Sequence, residues 1–270
     1  MTMDRVDRLT RTVREQLALG RLIPLGGPAD TAWITESAAV ESLRRTAAGL
    51  HGVRLREVEV LVVEWDTAEL PAAAPVGALP HLPVRVEAAF EAAADQPLPL
   101  TAQRLRDVLW GRAQEGLGLM VAAVDLRITG LLDEDPPALP AGSAGGSPDQ
   151  MAAGVAAGVV EGVVVPAPEG APPGSPAARP GGREALEAAA LAVPGVQCLT
   201  HRLTGLGSGV RVRDVPQGDP TARHVQVQIA VAPGQVALRV ARAVAEAVTA
   251  AAAPAAPGPV TTVVVVTDVG

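Results

Sequence analysis

Two stretches of the chain alternate strictly between apolar and polar positions. Val84, Val86, Ala88 and Phe90 are interleaved with Arg85, Glu87 and Ala89, and Val225, Val227, Ile229 and Val231 with Gln226, Gln228 and Ala230. A period of two predicts strands buried on one face. A helical period follows each. Residues 101–115 place Leu105, Val108 and Leu109 on one face behind Thr101 as N-cap, and residues 234–253 place Val236, Val240, Val244 and Val248 in one stripe. Further strands follow at 121–129 and 260–267. Upstream of each alternation lies a helical pattern, 37–50 or 183–193, ending in His51-Gly52-Val53 or Pro194-Gly195-Val196. Strand character then appears at 53–63 and at 210–215.

The same element order recurs at an offset of about 140 residues, which points to an internal duplication. The predicted fold is α+β: two tandem small domains, 28–135 and 183–270. Each is a three- or four-stranded, mainly antiparallel sheet covered by helices on one face. Between them, residues 136–182 hold 10 of the 25 prolines, 10 of the 28 glycines and only four charges. Such a stretch cannot bury enough apolar surface to offset its ordering entropy, and it reads as a flexible Pro/Gly-rich linker. Ahead of the first domain, Val6, Leu9, Val13 and Leu17 form the stripe of an amphipathic helix over 1–22. That stripe can pack on its own domain, on a partner or second copy, or on a membrane.

Composition narrows the function classes. Aromatics are 1% of the 270 residues, every basic residue is arginine, and the net charge is −7. An acidic chain poor in stacking rings argues against nucleic-acid binding. With one cysteine, Cys198, an intramolecular disulfide framework is excluded. The N-terminus is charged throughout, with no apolar stretch of signal-peptide kind, and no run reaches the ~18–20 residues that span a bilayer. A cytoplasmic protein without direct membrane insertion is expected.

No pattern assembles a catalytic site, and no cofactor or metal is expected. Cys198 and His201 lie three apart but lack further metal ligands, and they read as a buried thiol beside an exposed imidazole. Residues 205–209, Gly-Leu-Gly-Ser-Gly, fit neither a phosphate loop nor a nucleophile elbow and read as a tight turn. Glu57, Glu59, Glu64 and Asp66 cluster, with Glu57 and Glu59 on one strand face. Without a nucleophile or metal tied to them they read as a solvated face.

The segments Ala189-Leu191-Ala192-Val193-Pro194-Gly195-Val196, Val240-Ala241-Arg242-Ala243-Val244 and Val263-Val264-Val265-Val266-Thr267-Asp268-Val269 resemble the alkaline shock protein family of bacterial envelope stress proteins. Residues 32–133 resemble it more loosely, through Ile34-Thr35-Glu36-Ser37 and Leu50-His51-Gly52-Val53. The resemblance implies a non-enzymatic, envelope-stress-related scaffold acting by protein–protein docking. Its partner is another protein or a second copy, with a membrane-anchored partner holding it at the inner face of the membrane. The alternative is a small-molecule-binding protein or an enzyme using the cleft between the domains. For the scaffold, the candidate docking surface is the uncharged strand with Val263, Val264, Val265 and Val266, apolar on both faces and open to strand addition.

Overall fold

The computed structural model describes residues 20–63, 70–132, 181–203, 209–216 and 221–270. The helix expected over 1–22 and the linker expected over 136–182 fall almost wholly outside these residues. In the first half, helix α1 (Glu36–Ala48) begins at Thr35, whose Oγ1 accepts the Ala38 N–H at 3.3 Å and so satisfies a first-turn donor. Ala38, Ala39, Leu43 and Ala47 form its buried stripe. Gly52, at φ +73°, turns the chain into β3 (Val53–Val62), which runs antiparallel to β4 (Val84–Ala93). Helix α2 (Leu98–Gly111) follows. It starts at Pro97 without a side-chain cap, and Thr101, the expected cap, lies inside the helix and is buried. The helix continues as a π-helix (Arg112–Leu117) and leads to β5 (Val121–Leu132).

The second half repeats this order. Helix α3 (Arg183–Leu191) precedes β6 (Val196–Leu199), β7 (Val210–Val215), β8 (Ala222–Val231), α4 (Ala237–Ala252) and β9 (Val260–Val269). Both β6 and β7 pair antiparallel with β8, one on each part of it, so together they take the place of β3. The fold is α+β, but its sheets are mixed rather than mainly antiparallel. β4 pairs parallel with β5, and β8 with β9. The reason is the helix between the paired strands: a crossover returns the chain to the same end of the sheet, so the next strand runs parallel.

Two strands depart from the duplication. β1 (Leu22–Pro24) and β2 (Ala32–Thr35) precede the first half's helix but join the second half's sheet. β1 lies antiparallel to β2, and β2 runs parallel to β9, with Ala32 opposite Val264 and Ile34 opposite Val266. The result is a six-stranded sheet beside the three-stranded sheet β3-β4-β5. The halves therefore do not behave as separate domains bounded at 28–135 and 183–270. Their described residues belong to one compact unit with a continuous core that runs from Val86, Phe90 and Leu105 to Val227, Val244 and Val266. The halves meet through this packed core, and the cleft expected between them is confined to the place where residues 72–76 approach β7 and β8.

Polar ties cross the same junction. Arg242 donates to Asp30 through Nε and Nη2 at 2.6 and 2.8 Å, Thr31 Oγ1 donates to the Thr262 carbonyl at 2.5 Å, and Arg45 donates to the Val269 carbonyl. Gly118, left-handed at φ +87°, faces Leu238 of α4 so closely that a Cβ there would sit 2.4 Å from the Leu238 Cβ. Only glycine satisfies both demands. The core itself is mostly Ala, Val and Leu, with Trp33 and Phe90 as its two large rings. No helix among the described residues is long and apolar enough to cross a membrane.

Candidate functional site

The expected docking strand is covered by the chain itself. Val263, Val264, Val265 and Val266 are each no more than 2% exposed. Val264 and Val266 point into the main core. On the opposite face Val263 and Val265 pack with Leu22, Trp33 and Ala78 in a second cluster, flanked by Ala73, Ala74 and Leu203. The edge of β9 is taken by β2. These four valines are therefore not an open docking surface. An uncharged valine strand is a hazard when bare, and residues preceding and within the first half supply its cover.

That cover is itself tightly held. The Trp33 indole donates from Nε1 to the Leu79 carbonyl at 2.9 Å, and its ring meets the His81 ring edge-on at 4.7 Å between centroids. His81 is 8% exposed, and its Nε2 has no hydrogen-bond partner among the described residues. Burial pushes its pKa below the ordinary imidazole value, against the pull of nearby Asp30. Asp30 in turn is held below the usual carboxylate range by the Arg242 guanidinium and by the Gly27 N–H that it accepts.

Equivalent positions on the two sheets carry opposite chemistry. Ala93 donates to the Gly52 carbonyl and Ala232 to the Gly195 carbonyl, both at 2.9 Å, which fixes the alignment of β4 with β8. On the outer face of the first sheet, Glu59, Glu87 and Asp125 then form one cross-strand row. The matching row of the second sheet is Arg211, Gln226 and Val263, and the next row brings Arg213, His224 and Thr261 together.

The acidic row lines a shallow depression of about 370 Å³ with Glu57 and Arg127. Glu57 and Glu59 do share this face, as the strand period required. Asp125 pairs with Arg85 at 3.3 Å and Glu57 with Arg127 at 3.7 Å, while Glu59 and Glu87 stand opposite one another without an ion-pair partner among the described residues. Glu64 and Asp66 lie outside the described residues. All four acids of this face are exposed to solvent.

The basic rows line a cleft of about 240 Å³. Arg211, Arg213, His224 and Gln226 form its polar part, and Ala72, Ala73, Ala74, Pro75 and Val76 give it an apolar wall. Neither arginine has a hydrogen bond or an ion pair to any described residue, and no acid lines the cleft. The neighbouring Asp214 is held by Arg223 through two bonds of 2.7 and 2.9 Å. Two free guanidiniums beside an imidazole ring and an amide donor make a site for carboxylate or another anion, with an apolar wall alongside. Strand alternation in Val210-Arg211-Val212-Arg213 marks both arginines as outward-facing. What the sequence did not announce is that a loop from the other half forms the wall.

The remaining candidates resolve simply. Cys198 is exposed rather than buried, because Val196 and Leu199 take the half-buried positions of the short strand β6. No group of three or more His, Cys, Asp or Glu residues able to hold a metal occurs among the described residues. Residues 204–208 of the glycine-rich turn lie outside them. No family model, no curated protein and no solved structure matches this chain.

Proposed function

We propose that the protein is a non-enzymatic docking protein, and that the basic cleft on the second sheet is where it receives a partner. The partner is a protein that offers an extended acidic segment with small apolar side chains. The observation that carries this reading is the pair Arg211 and Arg213, both without an acidic partner in a chain of net charge −7 and set beside an apolar wall. A guanidinium pair binds carboxylates through two parallel N–H···O bonds, and the adjoining wall rewards an apolar neighbour. The resemblance to the alkaline shock protein family supports the same class of role: a scaffold near the inner face of the bacterial envelope, held there by a membrane-anchored partner.

The reading is tested with a labelled peptide of alternating Glu and Leu, measured by fluorescence anisotropy, against a Lys and Leu peptide of equal length. The acidic peptide is expected to bind the full chain, to weaken as salt rises, and to lose its binding in R211E/R213E while the fold persists. Equal binding of both peptides, or binding unchanged in R211E/R213E, would overturn the reading. Citrate is the discriminating third probe. Binding of citrate without binding of the acidic peptide favours the small-molecule alternative.

A further inference from the structure

The outer edge of β9 is filled by β2, and β5 holds the corresponding place in the first sheet. No described strand pairs with that edge of β5, although β5 runs for 12 residues. Two of the exposed large hydrophobic residues lie on it: Ile128 is 39% and Leu131 57% exposed.

The arrangement of side chains along β5 is symmetric. Opposite the buried residues Val84, Val86, Ala88, Phe90 and Ala92 of β4 stand Val121, Val124, Leu126, Ile128 and Leu131. Two register shifts, one near each end of β5, put the outermost members of this set on the same face as the central ones. Counted outwards from Leu126, Val124 answers Ile128, and Val121 answers Leu131. On the other face Asp125 answers Arg127, and both are exposed.

The geometry points to a second copy of this chain as the occupant of the edge, with β5 pairing antiparallel to β5 of the other copy about a two-fold axis at Leu126. In that register each inward apolar residue meets an inward apolar residue. Each Asp125 stands opposite an Arg127, twice, because an antiparallel strand pair repeats every contact across the axis. The exposed parts of Ile128 and Leu131 are covered, and the unpaired backbone groups of the edge find partners. Arg106 now donates from Nε to the Val124 carbonyl at 3.3 Å, and pairing would release that bond. This interface lies on the first sheet and does not depend on the basic cleft, so either reading can fail while the other stands.

Sedimentation velocity on the full chain, from micromolar to hundreds of micromolar, is the test. The chain is expected to dimerise with concentration. D125R and R127D each set like charges against each other at two places and should weaken the dimer by about tenfold or more. An equimolar mixture of the two variants should restore association, because arginines of one then face aspartates of the other. A chain that stays monomeric throughout, or a dimer indifferent to both variants and to their mixture, would overturn the proposal. A second measurement stands even if a charge variant fails to fold. In a C198S background, L126C should form an intermolecular disulfide under mild oxidation, since the two Cα atoms would sit about 5.5 Å apart, within disulfide range. A122C in the same background is the off-axis control. Cross-linking of A122C but not L126C would place the axis elsewhere and defeat the register.

Discussion

The two sheets grew from the same element order, yet their outer faces have opposite fates. On the first sheet the row of Glu59, Glu87 and Asp125 faces solvent, and water is its cover. On the second, the equivalent row runs from Arg211 through Gln226 to Val263, and its valine end lies under Trp33, Leu22 and Ala78. The difference teaches how a duplicated unit becomes asymmetric. One copy keeps charges outside and needs nothing more. The other carries valine on both faces of its last strand, and it is stable only because residues before and within the first copy lie across it. Of those residues, β1 and β2 also carry Ile23, Ala32 and Ile34 into the core that the two halves share.

The sharpest way to break this asymmetry is to remove the cover. Trp33 is fully buried and its indole N–H is bonded. W33A should cost about 3–5 kcal/mol by the rule for large buried rings, measured by urea unfolding. An E59A substitution on the outer face of the first sheet is the matched comparison and should be nearly neutral, because Glu59 is exposed and that face has no lid to disturb. Equal losses would mean that the two faces are not distinct after all.

Acid provides a gentler probe of the same cover. His81 titrates at a lower pH when folded than when unfolded, because burial disfavours its charged form. Below the unfolded value, about 6.5, the unfolded chain therefore takes up the proton first, and stability falls as pH drops, by at most about 1.4 kcal/mol per pH unit. Asp30 and Glu36, both held low by arginine partners, add a second loss below the unfolded carboxylate range near about pH 4. In H81F the upper limb should vanish while the lower one remains. Unfolding curves at a series of pH values check both.

The smallest effect is expected on the open face. Glu59 and Glu87 are direct cross-strand neighbours of like charge. E87Q should stabilise the fold slightly, by roughly 0.2–0.5 kcal/mol at low salt, and the gain should fade as salt screens the repulsion.

Much of the fold was legible in the sequence for a physical reason: its elements announce themselves by local period. The alternation at Val84–Ala93 and Ala222–Val231 and the stripe of α4 come from which residues meet the core, and that information is local. Strand direction was misjudged although the clue was present, since a helix lies between each pair of parallel strands. Leu22, Trp33 and Ala78 were not legible as a cover for Val263 and Val265. Their contacts join residues far apart in the chain, and three or four apolar residues such as Ala32-Trp33-Ile34 show no period long enough to assign. The basic cleft was hidden for the same reason: Arg211 and Arg213 are visible in the sequence, but the wall at residues 72–76 is not.

The parallel pairing of β2 with β9 also sets a timetable. Ala32 and Val264 lie about 230 residues apart, so at ribosomal rates of roughly 5–20 residues per second the first strand is made on the order of ten to fifty seconds before its partner. For that interval Trp33 and its neighbours have no sheet to join. The valine strand, by contrast, emerges into a chain whose cover already exists, and the segment most prone to clump is the one that waits least. Order of synthesis thus works as a safeguard: the lid is made before the vessel it closes.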